Sequence, residues 1–238
     1  MNESNANENC TDKINILRFT HGALKDFEDI VLIEKPCNFF LNGDLLEKIT
    51  CTNKDIKELA AGYLLCEGYI RSKEELLTVK VDNESGSVYL YTSKCVDVHH
   101  DAGGRGIEMD YSATLLAVKK FQEMSPMFKE TGAVHSAALL GRGNNFRYFC
   151  EDISRYNAVE KVIGKAFLDG FYLPHALLMT SSRMPLELIQ KISGAGICAV
   201  VSISAPTLQS IIFARDHKMF LAGMFRDNRI NIYSQGND

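Results

Sequence analysis

No two cysteines in this chain are spaced as CxxC, no apolar run approaches the roughly 20 residues a membrane span needs, and basic residues are in deficit. Each absence excludes a class of protein. Seven cysteines without CxxC spacing offer neither a four-cysteine zinc site nor a dithiol redox motif, and an odd count makes no disulfide framework. A net charge of −4, from 26 Lys and Arg against 30 Asp and Glu, argues against a duplex-binding surface, because neutralising phosphates takes clustered cations. Nucleic acid is not an expected partner. The opening MNESNANENCTD has no basic segment followed by an apolar one, so neither a membrane association nor export is expected and the cytoplasm is the expected compartment. It is polar and Asn-rich, and residues 1–12 read as a disordered tail.

What is present is an ordinary globular composition. The 238 residues, 46% hydrophobic and 24% charged, suffice for one large domain or for a main domain with a smaller one. KINILRF and DIVLIEKPCNFFLNGDLLEKI read as strands, with Asn42-Gly43 as a tight turn. TNKDIKELAAGYLLCEG predicts a helix with Ile56, Leu59, Ala60, Tyr63 and Leu64 on one face, Thr52 or Asn53 as its cap and Gly68 at its end. TVKVDNESGSVYLYTS reads as a hairpin, Tyr111–Met124 has helical spacing, and AVHSAALLGRGNNFRYFCED reads as two strands about a turn. From Ser154 onward helix and strand alternate, which predicts a mostly parallel sheet with helices packed over it. The expected organisation is a tail over 1–12, a small α+β domain over 13–107 and an α/β domain over 108–238, with no Pro/Gly/Ser linker between the two domains.

In such a sheet, ligands settle where strands hand over to helices at the carboxyl edge. Three handovers are polar: Glu151-Asp152-Ile153-Ser154-Arg155, Ser181-Ser182-Arg183 and Ser202-Ile203-Ser204-Ala205-Pro206-Thr207. In the third, Ser204 or Ala205 is placed to cap a helix with Pro206 at its first position, leaving backbone N–H groups for an anion. The guanidinium forks of Arg155 and Arg183 match phosphate or carboxylate bidentately. His135 stands where a strand leaves the Thr131-Gly132 loop, Asn157 and Lys161 share a helix face, and Arg226 and Arg229 flank a turn between two strands.

Taken in chain order, NGDLLEKITCTNKDIKELAAGYLLCEGYI, TGAVHSAAL, EDISRYNAVEKVIG, SSRMPLELIQK, VSISAPT and LAGMFRDNRINIYS resemble the FdhD family of formate dehydrogenase accessory sulfurtransferases, over about residues 30–236. The resemblance implies an α/β fold: a cytidine-deaminase-like three-layer α/β/α domain with a smaller N-terminal α+β domain, assembled as a homodimer. Family members carry sulfur from a cysteine desulfurase to a molybdopterin guanine dinucleotide cofactor, which then enters formate dehydrogenase. On this resemblance Met224, Phe225, Arg226, Asp227, Asn228 and Arg229 match the cofactor-binding stretch. His135, Asp152, Arg155, Asn157, Lys161, Ser182, Arg183, Ser204 and Thr207 would line the pocket, and no structural metal is expected.

The chain departs from the family pattern in two places. The usual EDxGRHNAxDK has Ser154, Tyr156 and Glu160 in place of its Gly, His and Asp. The sulfur-carrying CGxCG becomes Ala102-Gly103-Gly104-Arg105-Gly106, with both glycines kept and both cysteines gone. A persulfide is held on an accessible, low-pKa thiolate, so Ala102 and Arg105 leave no catalytic residue in the motif, and Cys95 and Cys150 are the candidate substitutes. Two readings stay open: sulfur transfer through a relocated cysteine or an external sulfur source, and a cofactor-binding or dehydrogenase-binding module that has lost transfer. Zinc deaminase chemistry, which the implied fold would admit, needs a PCxxC that this chain lacks.

Overall fold

The computed structural model describes residues 10–93 and 109–236. Cys95, Ala102, Arg105 and the expected 107/108 boundary lie outside the described residues. The chain begins as paired strands, β1 (Thr11–Thr20) and β2 (Ala23–Leu32), which form an antiparallel ribbon. The expected tail over 1–12 is therefore too long at its inner end. Thr11 pairs with Leu32, and the buried Cys10 accepts a hydrogen bond from Ile33 N at 2.8 Å through its carbonyl.

Strands β3 (Lys35–Leu41), β4 (Asp44–Cys51), β5 (Leu76–Asp82) and β6 (Ser87–Thr92) make a four-stranded sheet in the order β4-β3-β6-β5. Asn42 and Gly43, with φ of 51° and 103°, form the two-residue turn between β3 and β4 that their sequence announces. Helix α1 (Ile56–Cys66) buries Ile56, Leu59, Ala60 and Leu64 as its spacing predicts, and Gly68 turns the chain away at φ 77°. Its cap is Asp55, not Thr52 or Asn53. Thr52 is drawn away by Asp152, and Asn53 accepts a hydrogen bond from Lys35 Nζ at 2.8 Å.

The second half comprises α2 (Tyr111–Glu123), α3 (Pro126–Thr131), β7 (His135–Leu140), β8 (Phe146–Asp152), α4 (Arg155–Leu168), β9 (Leu177–Thr180), α5 (Leu186–Gly194), β10 (Ala199–Ser202), α6 (Leu208–Asp216), β11 (Phe220–Arg226) and β12 (Arg229–Gln235). The strands form one sheet in the order β12-β11-β10-β9-β7-β8. The alternation from Ser154 onward gives the parallel strands it predicts, β9, β10 and β11, and the sheet becomes antiparallel only beyond them, at β7, β8 and β12. Crossover helices join those three, whereas tight turns fold β8 back on β7 and β12 back on β11, which forces antiparallel pairing.

Alternate residues of this sheet face opposite layers. Ala137, Leu139, Leu178, Val200 and Leu221 pack toward α1, α4 and α5. Ala138, Leu140, Met179, Val201 and Ala222 pack toward Ala117, Val118 and Phe121 of α2. The first core continues through α1 to Phe39, Val88 and Leu90 of the four-stranded sheet, so one apolar cluster serves both sheets. Helices α1 and α4 meet backbone to backbone. A Cβ on Gly62 would lie 1.8 Å from Glu160 O, and one on Gly164 would lie 1.9 Å from Glu58 O, so only glycine fits at this crossing.

Candidate functional site

The pairing directions decide what shares an edge. β8, β9, β10 and β11 all end on the same side of the sheet, and β7, running the other way, begins there. All three polar handovers, His135 and the β11–β12 turn therefore stand along one edge, where an open α/β sheet takes its ligands. A cavity of about 480 Å³ opens at this edge, within the range of roughly 300–1,000 Å³ usual for small-molecule sites. Phe121, Phe128, Val134, Ile153 and Ile203 give it apolar walls, and Gln122, Ser125, His135, Ser136 and Ser181 bring polar groups to it.

His135 is half-buried at the start of β7. Ser181 Oγ lies 3.5 Å from its Nδ1 and accepts a hydrogen bond from Ser136 N at 3.0 Å. Burial holds the His135 imidazole below its ordinary pKa, and the Arg155 and Arg183 guanidiniums push it further down. Both effects favour the uncharged ring. Among the described residues, neither arginine meets a carboxylate at ion-pair distance, and Arg155 only overlies the Tyr156 ring at 5.8 Å. The edge thus carries, beside His135, positive charge from two guanidiniums without a carboxylate partner among the described residues, an arrangement that suits an anion.

Other expected pocket residues face inward. Asp152 is fully buried, and its Oδ2 accepts from Thr52 N at 2.9 Å, from Thr52 Oγ1 at 3.0 Å and from Lys161 Nζ at 2.5 Å. Its Oδ1 accepts from Ser154 N at 3.0 Å and from Asn157 Nδ2 at 2.9 Å. Asn157 also donates to Thr50 O at 2.8 Å, and Lys161 to Thr52 Oγ1 at 2.7 Å. Asp152, Asn157 and Lys161 are therefore not pocket residues. They clamp the end of β4 onto the β8–α4 handover, and every charge in the clamp has a partner. Ser182 is buried too, with its hydroxyl 3.1 Å from Thr180 Oγ1 and 3.0 Å from the Arg183 carbonyl to which it donates.

The third handover differs from its sequence reading. Thr207, not Ser204 or Ala205, caps α6, and Pro206 lies ahead of the helix, where it bridges to Met184. Ser210 N donates to Thr207 Oγ1 at 3.3 Å and Thr207 N donates to Ser210 Oγ at 3.0 Å, so the capping box occupies N–H groups the reading had left for an anion. Ser204 accepts from Met224 N at 2.8 Å through its carbonyl, and Ile203 from Phe225 N at 3.1 Å. That close approach depends on Gly223, whose Cβ would stand 2.9 Å from Ser204 O. Beyond it Met224 takes a left-handed φ of 58°, Phe225 is buried, and Asp227 and Asn228 turn the chain between exposed Arg226 and Arg229.

The sequence reading missed Ser125 and Phe128, which reach the cavity from α3. Ser125-Pro126, a capping residue before a proline at the first helical position, was the available signal. Glu151 fixes this helix by accepting from the Ser125 hydroxyl and from Phe128 N at 3.3 Å. Among the described residues no cluster of three or more His, Cys, Asp or Glu is arranged to hold a metal ion.

The six described cysteines are all buried. Burial pushes the candidate substitute Cys150 up to about 12, and it raises the Cys66 and Cys198 thiols as well. Cys51, hydrogen-bonded to Cys37 and buried, is also raised; the same bond holds Cys37 below its ordinary value, but that thiol is only 2% exposed. None combines access with low pKa, the two properties of a sulfur carrier. Cys150 is corrected to a packing residue.

Comparison with known proteins places these features in a lineage. The model of the FdhD/NarQ family matches residues 32–109 and 92–238. The chain belongs to the FdhD/NarQ family. It is 30% identical over 238 residues to the sulfur carrier protein FdhD of Wolinella succinogenes, covering 89% of this chain and 82% of the relative. It is 28% identical over 258 residues to the sulfur carrier protein FdhD of Bacillus subtilis, covering 96% and 97%. Its fold matches a crystal structure from Desulfotalea psychrophila, assigned as a formate dehydrogenase accessory protein, with a TM-score of 0.84 at 22% identity over 94% of this chain and 97% of that one. In this FdhD/NarQ member no helix of the described residues is long and apolar enough to cross a membrane.

Proposed function

We propose that this chain serves formate dehydrogenase maturation by holding the guanine dinucleotide end of a molybdopterin cofactor at the edge around His135, without carrying sulfur on its described thiols. The observation that carries the reading is that His135, which lines an apolar-walled cavity, feels the positive charge of two guanidiniums, Arg155 and Arg183, neither of which meets a carboxylate at ion-pair distance among the described residues. Phosphates supply the charge that site lacks, and the apolar walls suit a flat heterocycle. The names of relatives as sulfur carrier and accessory proteins support the maturation role. The burial of all six described cysteines supports the loss of transfer.

Guanosine diphosphate is the probe. Calorimetric titration is expected to show saturable binding that weakens about tenfold in Arg155→Ala or Arg183→Ala and weakens again as salt rises, since charge-assisted contacts are worth roughly 1.5–3 kcal/mol each. Affinity indifferent to both arginines and to salt would overturn the reading. The relatives' names favour a second reading, in which a desulfurase loads Cys95 with sulfane sulfur. Incubation with a cysteine desulfurase and cysteine, followed by mass spectrometry of the Cys95 peptide, separates the two. A persulfide there establishes transfer, and an unmodified thiol leaves the binding role.

A further inference from the structure

A guanidinium without a carboxylate and a carboxylate without a cation share one tyrosine. Arg155 and Tyr156 are the first two residues of α4, and Glu187 is the second residue of α5. The Tyr156 hydroxyl donates to Glu187 Oε2 at 3.1 Å, and Arg155 Cζ lies 5.8 Å from the centre of the same ring. Yet among the described residues neither charge meets an opposite one at ion-pair distance. Glu187 is exposed and Arg155 half-buried, so burial does not forbid the pair.

The reason lies in how α4 meets α5. Tyr156 and Glu160, one turn apart on α4, bond to Glu187 and Lys191, one turn apart on α5. Lys191 is taken by Glu160 at 2.9 Å and by Glu67 at the end of α1, which leaves the phenol as the partner Glu187 uses. Burial and the Glu187 carboxylate hold Tyr156 above its ordinary pKa, so the hydroxyl keeps its proton and remains a donor. A hydrogen bond to a charged acceptor is stronger than one between neutral groups. The carboxylate is thereby tied to the tip of the ring, while the guanidinium stays within the roughly 6 Å over which a cation is drawn to the ring itself. Tyr156 and Glu160 are also two of the positions at which this chain departs from the family pattern.

We propose that Tyr156 is a positioning residue for the edge around His135: its hydroxyl engages the Glu187 carboxylate and so keeps it from pairing with Arg155, which leaves that guanidinium for an incoming anion. The inference rests on the reading of this edge as an anion site, and adds what keeps one of its two cations unneutralised.

NMR titration of the His135 imidazole and calorimetric titration with guanosine diphosphate read the effect with and without ligand. Tyr156→Phe keeps the ring, removes the donor and releases Glu187 to Arg155. The His135 pKa is then expected to rise toward its value in Arg155→Ala, and guanosine diphosphate to bind about two- to fivefold more weakly, the range an exposed ion pair commands. Adding Glu187→Gln removes the carboxylate, and the double variant Y156F/E187Q is expected to return both readings to those of the wild type. A purely structural role predicts no such rescue, because the double variant lacks both partners of the hydrogen bond. Tyr156→Phe that moves neither reading, while Arg155→Ala moves both, overturns the proposal and leaves the anion site standing. A loss that Glu187→Gln fails to reverse overturns it as well. If Arg155→Ala itself moves neither reading, the anion site is wrong and the role of Tyr156 falls with it.

Discussion

Asp152, Arg155 and Lys161 stand within ten residues of one another about the β8–α4 handover, and their charges have opposite fates. Asp152 and Lys161 are fully buried and saturated by Thr52, Ser154 and Asn157. Arg155, between them in sequence, acts on His135 together with Arg183 and meets no carboxylate at ion-pair distance among the described residues. Desolvation explains the contrast. A charge taken out of water needs every lone pair and proton satisfied, whereas one kept at an edge can wait for a ligand. One short motif thus builds a clamp with its inward residues and leaves the charge of Arg155 outside it.

The clamp is where the contrast breaks most severely. Lys161→Met is expected to destabilise the fold by about 3–5 kcal/mol, because it leaves the Asp152 carboxylate buried without its cation, and adding Asp152→Asn is expected to restore part of the loss. Chemical denaturation of the three variants checks both statements. Glu160, next along α4, is also buried, 2.9 Å from Lys191 Nζ. Burial raises it to about 7 despite that lysine, so the folded state holds a proton that the unfolded chain releases above its ordinary value near 4.5. The stability this proton contributes is complete below pH 4.5 and is lost as pH rises through 7. The stability difference between the wild type and Glu160→Gln is expected to fall by about 2 kcal/mol from pH 5 to 7.5. A flat difference would mean that Lys191 keeps Glu160 ionised throughout.

Smaller effects sharpen the other side. Thr207→Ala removes one half of the α6 capping box and is expected to cost about 1 kcal/mol in the same assay. Arg155→Ala and Arg183→Ala are expected to change stability by less than about 0.5 kcal/mol, since neither guanidinium holds anything together. Each is nevertheless expected to raise the His135 pKa, which an NMR titration of the imidazole protons reads directly.

Much of this edge was legible in the sequence, because handovers announce themselves by polar residues after apolar strands. The alternation after Ser154 gave the helix–strand order, and Asn42-Gly43 and Asp227-Asn228 marked their turns. What periodicity could not supply was the facing of each side chain within a handover. Ser182 looked equivalent to Ser181, yet only Ser181 reaches the cavity, and Ile153 and Ile203 do so from segments read for their polar members. The clamp was illegible for a different reason: Thr52 lies 100 residues from Asp152, and no local pattern reports so distant a partner. Tertiary demand also moved both caps. Thr52 was drawn from α1 to Asp152, and the 3.1 Å bond from Thr207 N to Met184 O helped fix the start of α6 three residues beyond Ser204.

The central claim is that His135, Arg155 and Arg183 form one anion-receiving edge. NMR titration of His135 with and without guanosine diphosphate tests it most directly. If the phosphates settle between the guanidiniums, the depressed His135 pKa rises on binding, and the rise is lost in Arg183→Ala. A nucleotide that binds while the His135 titration stays where it was would contradict the account.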